Sequence, residues 1–393
     1  MGIGAKLLID TSIQIFNPFL TIIAAGIGIS SVSLGGLVAL RGLTGLFSPA
    51  IGAIADKIGH KLILQLSLFL SGAGMILAGF SRSSVLFAAA IIITGIGQAG
   101  FTPNLHAYLS TKLSYDKRAR GIGIVEYSWA LAGIFGLFAT GYLIEKFSWR
   151  SPFILIGSLL IFASIIYFSL ASEKIDRQNW QMSKKVSSEK ISLTKSIFQF
   201  FHLGKNARSA WGTIIVQGLN MFAIMHVMII HGGWLGREYN LGPSQLGAVA
   251  LVFGFSDLAA SIFVSIAADR IGKKKSVAIG VAGMTITFAL MPVLNISLYA
   301  AILGIMLPRI FFEVATVSNL ALLTEQVPEQ RGKVMSLSTT SGLIGITAAS
   351  ALGPVSYYSR GVTGLAIISF VVSLLSFILV IIVVKDKAHT QIY

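Results

Sequence analysis

Eight ionisable side chains stand inside long apolar runs of this 393-residue chain: Asp10, Arg41, His106, Glu126, His226, Asp257, Arg309 and Glu313. A charge at mid-bilayer costs about 2.5–3.5 kcal/mol even on a lenient insertion scale, so such groups persist where they pair or border water. A carboxyl group held away from water favours its neutral form and can load and release a proton near neutrality. Glu126, Asp10, Asp257 and Glu313 are therefore candidates for carrying a proton. Arg309 and Glu313 are four apart, share a helix face and are expected to pair along it. Asp257 is a second carboxylate for the same arginine, and Arg41 is a candidate counter-charge for Asp10 or Glu126. Pro308, just before Arg309, weakens its helix and can free carbonyls for a ligand or a bend. Each residue also has a plainer role: a neutral buried ion pair, a helix cap for Asp10, a bond from His106 to a nearby carbonyl.

Uncharged polar groups in the same runs add to a candidate substrate-binding set. Gln14, Asn17, Asn104, Gln217 and Asn220 join Arg309, Arg41, His106 and His226 there. Tyr127, Trp129, Phe16 and Phe222 could stack on a flat or apolar molecule, or serve as ordinary packing. His226 and His231 are five apart, off one helix face, with no acidic or cysteine ligand near in sequence, so no metal site is expected. No HExxH, nucleophile–base set or phosphate-binding GxxxxGK[ST] loop occurs, so neither an enzyme nor direct use of ATP is expected, and no cofactor is implied.

The elements that must hold these residues follow from composition. The chain is 54% hydrophobic and 11% charged, with mean hydropathy +0.81. A soluble chain averages about 25% charged residues, so this one cannot cover itself with polar surface. Apolar runs of roughly 20 residues, each long enough to cross a hydrocarbon core of about 30 Å, recur throughout. Twelve spans are predicted, at 6–29, 33–55, 62–80, 85–109, 121–143, 152–171, 209–233, 244–268, 275–294, 297–322, 333–355 and 362–384. A β-barrel is disfavoured because the runs are continuously apolar rather than alternating. Only MGIGA precedes the first span, so it lacks the cationic region and cleavage site of a secretory signal and is expected to be retained. At about 1.5 Å per residue, Asp10, His106 and Glu126 lie roughly one turn from the terminus-bearing end. Arg41, Asp257, Arg309 and Glu313 lie near the middle, and His226 somewhat beyond it.

The net charge of +15 is a matter of topology. With the N-terminus and every even-numbered loop on one side, that side holds 23 of the 30 Lys and Arg, the other side five, and two lie within spans. Such a bias places both termini in the cytoplasm, and nucleic acid is not needed to explain the basic balance. There are no cysteines. The polar stretch from Glu173 to Arg208 separates six spans from six. Within it, ISLTKSIFQFFHL (Ile191–Leu203) is amphipathic enough to lie on the membrane surface.

The two sets of six spans repeat one another. GAIADKIGHK at 52–61 returns as SIAADRIGKK at 265–274, 213 positions on; RGIGIVEYSWALAG from Arg120 aligns with RGKVMSLSTTSGLIG from Arg331, 211 on; Arg150 and Arg360 are 210 apart. Parallel six-helix repeats of this kind enclose a mid-membrane site between halves that rock against each other. Gly52-x-x-x-Asp56-Lys57-x-Gly59-His60-Lys61 resembles the loop 2–3 signature of the major facilitator superfamily, G-x-x-x-D-R-x-G-R-[RK]. The second copy keeps Asp269, Arg270, Gly272 and Lys273, with Ser265 for the first glycine. Trp149-Arg150-x-Pro152-Phe153 resembles the family's 5–6 loop. The closest likeness is to the twelve-helix drug:proton antiporters, although IIITGIGQAG of span 4 lacks their arginine and Gly136–Gly141 matches their span 5 glycine signature only in part.

The resemblance implies an all-α polytopic membrane protein of twelve transmembrane helices in two pseudo-symmetric six-helix bundles, 1–172 and 209–393, joined by a cytoplasmic linker, 173–208. In the family, spans 1, 4, 7 and 10 line the cavity, and the repeated loop latches the halves when the site faces outward. Carried over, Gly52, Asp56, Lys57, Gly59, Lys61, Asp269, Arg270 and Gly272 form the latch, with Asp56 meeting the start of span 11 near Gly332–Met335. The expected function is proton-coupled export of a small organic molecule by alternating access, from a monomer in a bacterial inner membrane. Alternatives are uptake by symport of a sugar or organic anion, a lipid flippase, or a transport-dead sensor.

Overall fold

A computed structural model describes residues 2–114, 121, 123–170, 203–327 and 330–385, without the side chains of 205, 265–270 and 331. Residues 171–202, with nearly all of the expected surface helix at 191–203, lie outside the described residues, as do the side chains of Asp269 and Arg270. Numbered as the spans, the helices are α1 (Gly2–Gln14 and Phe16–Ile27), α2 (Ser31–Ile58), α3 (His60–Phe80), α4 (Ser84–Lys112), α5 (Gly123–Lys146) and α6 (Ser151–Ser169). The second bundle has α7 (Ala207–Tyr239), α8 (Pro243–Ile271), α9 (Lys273–Leu294) and α10 (Leu298–Gln326). The helical run Arg331–Ile382 that follows is non-helical at Arg360 and Gly361, where Gly361 adopts φ 59°. At about 1.5 Å per residue its 52 residues would measure more than twice a hydrocarbon core. It therefore crosses twice, as α11 (331–359) and α12 (362–382). With α1 taken as one bent span, the described residues form twelve spans.

The first helix of each bundle is broken. The two parts of α1 meet at 57°, and Pro18 supplies the cause, since it has no N–H to give the carbonyl of Gln14. α7 is interrupted at Ile229–Ile230, between Ala207–Met228 and His231–Tyr239. Elsewhere the repeat holds to fine detail. Gly59 and Gly272 adopt φ 97°, ψ 137° and φ 96°, ψ 138°, a region open to glycine. The next turn brings a lysine to the C-terminal carbonyls of the sixth helix of its own bundle. Lys61 Nζ donates to Phe168 O (2.8 Å) and Leu170 O (2.6 Å), and Lys274 Nζ to Ile381 O (3.4 Å). The repeated loop thus ties the start of the third helix to the end of the sixth, where a cation satisfies orphan carbonyls.

In lipid, helices associate by close packing and interhelical polar bonds rather than by a hydrophobic drive. Within the first bundle, Phe16, Phe87, Trp149 and Phe153 meet edge to face at 5.9–6.2 Å. Between bundles, α2 lies along α11, with Gly35 against Ser350 and Gly45 against Leu343, and α5 lies along α8, with Gly141 against Pro243. The outer part of α7 crosses α1 at Gly232, where a Cβ would fall 1.8 Å from the carbonyl oxygen of Pro18. Ser244 N–H donates to Glu145 (2.9 Å), and the Tyr358 hydroxyl to Ser31 (3.2 Å). These contacts gather at mid-depth and at the end opposite the termini. Toward the terminus-bearing end, the last part of α2, Ser48–Ile58, packs on α3 and α4, whereas Ser31–Leu43 packs along α11. The bundles are closed at one end and parted at the other.

Candidate functional site

A mid-depth cavity lies between the bundles. α1 and α5 supply Gln14, Asn17 and Trp129; α7, α8 and α10 supply Met225, Met228, Asp257, Arg309, Phe312 and Glu313, among others. Arg309 engages Asp257 with both ends of its guanidinium, Nε to Oδ1 at 3.1 Å and the second nitrogen to Oδ2. Its third nitrogen contacts the Met228 sulfur, and the group lies 5.0 Å from the Phe253 ring centroid. Arg309 therefore pairs across two helices rather than along its own. The planar fork matches a facing carboxylate bidentately, and Asp257 offers that geometry. Glu313, one turn along α10, has no hydrogen bond or ion pair among the described residues. The cavity thus carries one cation and two carboxylates. It offers about 30 Å³ to water centres, room for roughly two waters.

A second cluster sits toward the open end of the first bundle. Lys6 Nζ lies 2.9 Å from Asp10 Oδ2, 3.2 Å from Ser128 Oγ and 3.5 Å from Glu126 Oε2. Ser128 Oγ donates to Asp10, and His106 Nε2 stands 2.8 Å from Glu126 Oε1. α1, α4 and α5 meet here. Asp10, His106 and Glu126, separated by up to 116 positions in sequence, are brought together. Lys6 was outside the sequence-based set, where it counted as a basic residue of the terminus-bearing side. Its i, i+4 spacing to Asp10 was the available signal. Ser128 carried none.

The remaining candidates lie elsewhere. Arg41 meets no acidic group among the described residues; it donates to the carbonyls of Ser12 (3.3 Å) and Ile13 (3.4 Å) and lies over Phe16 at 4.8 Å. A bent helix exposes such carbonyls, and a guanidinium on the next span can reach them. Gln14 donates to Trp129 O at 3.0 Å and borders the cavity with Asn17. Asn104 is buried against Gly100 O and His60. Gln217 accepts from Asn319 (3.2 Å) and Asn220 from Ser376 (2.7 Å), inside the second bundle. His226 is fully buried there, with Ser356 at 2.8 Å and Ser369 at 3.1 Å on its two ring nitrogens and Phe222 stacked on it. In the repeated loop, Asp56 is 69% exposed and lies 3.6 Å from His60. Its meeting with the start of α11 stays an expectation of the resemblance. Among the described residues no group of three or more His, Cys, Asp or Glu is placed to hold a metal.

Twelve apolar helices in two like-built bundles, with a charged cavity between them, define a polytopic membrane carrier of small molecules. The chain belongs to the Major Facilitator Superfamily, whose family model matches residues 3–230 and 211–392. It is 24% identical over 379 residues to YceJ of Bacillus subtilis (strain 168), described as an uncharacterised MFS-type transporter, covering 93% of this chain and 92% of that one. It is 23% identical to the multidrug resistance efflux pump PmrA of Streptococcus pneumoniae serotype 4, covering 68% of this chain and 66% of that one. The fold resembles that of a D-xylose–proton symporter crystal structure, with TM-score 0.76 and 15% identity over 98% of this chain and 97% of the other.

Proposed function

We propose that this transporter exports an apolar organic cation in exchange for protons. The observation that carries the proposal is Glu313: a carboxyl group without a partner among the described residues, in a cavity also bordered by Trp129 and Phe312. An unbalanced carboxylate beside aromatic faces suits a cation with apolar surface. An organic anion is served less well, because Arg309 is taken by Asp257 and Arg41 by backbone carbonyls. The efflux role of PmrA is consistent with export. Seating a drug-sized molecule requires the bundles to part around it, which is the motion of alternating access.

The excess of basic residues at the terminus-bearing end supports a cytoplasmic location for both termini, in a bacterial inner membrane. The parted end then faces the cytoplasm. In the opposite state Asp56 latches the bundles against the N-terminus of α11, where free N–H groups favour an anion. The protein works as a monomer of two bundles, 1–172 and 209–393, joined through 173–208.

The test uses purified protein in liposomes, ethidium as the probe, and an imposed proton gradient without ATP. Gradient-driven ethidium movement that is lost in Glu313→Gln is expected. Ethidium transport indifferent to the gradient removes proton coupling, and unchanged transport by Glu313→Gln removes the assigned cation site. Asp56→Asn should cut transport about tenfold at unchanged expression, within the usual range of coupling between distant sites.

A further inference from the structure

The cluster near the open end contains two pairs that differ in access to water. Lys6 and Asp10 are each 3% exposed at the side chain, whereas His106 and Glu126 are 30% and 48% exposed. Asp10 is held by two donors, Lys6 at 2.9 Å and Ser128 at 2.5 Å. Both bonds suit its charged form, and water does not reach it. Glu126 touches Lys6 on one oxygen and His106 on the other, and its side chain is 48% exposed.

Charge counting sets the capacity of the group. One lysine, two carboxylates and a neutral imidazole sum to one negative charge. Taking up a single proton makes the cluster neutral, which is the state a low-dielectric site favours. The proton comes from water at the open end and is shared between His106 Nε2 and Glu126 Oε1, 2.8 Å apart. The other ionisable groups on these helix stretches are Tyr108 and Lys112 on α4 and Tyr127 on α5; α1 contributes Lys6 and Asp10 alone. Arg41 lies deeper, on the carbonyls of Ser12 and Ile13.

We propose that the His106–Glu126 pair carries the coupling proton and that Lys6, locked to Asp10, is the positioning cation that limits the cluster to one proton. The inference rests on the proton-coupled reading above and names the residues that do the coupling. The second bundle supplies a physical control. At the positions 211 further on, Lys6, Asp10 and Glu126 are replaced by Gln217, Met221 and Leu337, so the same scaffold tolerates an uncharged version of the site.

Ethidium in proteoliposomes again provides the assay, now with two readouts: gradient-driven accumulation, and downhill exchange with no gradient. His106→Gln and Glu126→Gln should each lose accumulation by about 5–150-fold, the usual span of coupling between sites, and lose more accumulation than exchange. Lys6→Gln should lose accumulation too, because it leaves two unbalanced carboxylates. Lys6→Gln with Asp10→Asn restores the charge count and should recover accumulation to within about threefold of the parent, a rescue that a merely structural lysine would not show. If the parent moves ethidium without regard to the gradient, the proton-coupled reading falls and this assignment with it. If the parent is gradient-driven and both single variants are too, only the assignment falls. Failure of the double variant to recover overturns the role of Lys6.

Discussion

The two bundles share a backbone plan and differ in where they hold charge. In the first, Lys6, Asp10, His106 and Glu126 gather near the open end; in the second, Asp257, Arg309 and Glu313 gather at mid-depth. The first site is uncharged in the second bundle, while the counterpart of the second keeps one cation, Arg41, and no carboxylate. Lys6 and Asp10 correspond to Gln217 and Met221, and Gln217 makes an uncharged bond to Asn319 (3.2 Å). Asp257 corresponds, 213 positions back, to Thr44. α4 and α10 begin on the capping serines Ser83 and Ser297, which places Gly95 opposite Arg309. Thr44 and Gly95 are in contact, as Asp257 and Arg309 are. The same helix crossing is thus built once from Thr44, Gly95 and the stem of Arg41 and once from an ion pair. A duplicated scaffold can carry two chemistries because close packing holds each bundle together, leaving its few buried charges free to specialise.

The largest effect expected from breaking this asymmetry comes at Arg309. Arg309→Gln leaves Asp257 without its partner, at about 3–5 kcal/mol for an orphaned buried charge. Thermal unfolding in detergent should show the loss, and adding Asp257→Asn should recover most of the stability without ethidium transport. Next is Gly232→Ala. Its Cβ would press on the Pro18 carbonyl, so the closed end should be destabilised by about 1–3 kcal/mol. The chain has no cysteine, so spin-label pairs introduced across α1 and α7 report that opening without background; an unchanged distance distribution would refute the part of this contact in closing that end.

Smaller effects sharpen the comparison. His226→Gln should cost about 1–2 kcal/mol by loosening the Ser356 and Ser369 contacts, and leave ethidium transport within about twofold of the parent, because the residue lies inside one bundle. A large transport defect would return it to the substrate path. Lys61→Met and Lys274→Met should each cost about 0.3–1 kcal/mol, with Lys61 the more costly, since it bonds two carbonyls at short range and Lys274 one at 3.4 Å. Equal effects would show that the two loops are equivalent in solution.

The sequence by itself determined the number of spans, the repeat and the charge bias of the loops. All three are local or counted quantities: about 30 Å of hydrocarbon demands about twenty apolar residues, and a repeat is visible at any fixed offset. It also identified most of the buried charges, because an ionisable residue inside an apolar run stands out wherever it falls. Which of these charges meet was decided by the tertiary structure. Arg309 bonds Asp257, 52 positions away, instead of Glu313 four away, and Lys6 reaches Glu126, 120 positions on. A helix that is apolar all round gives no indication of how it is turned about its own axis, and that rotation selects the partners of each side chain. Close contacts between backbones set the rotation here, at Gly232 on Pro18, Gly35 on Ser350 and Gly141 on Pro243, and such contacts exist only once the twelve helices are packed.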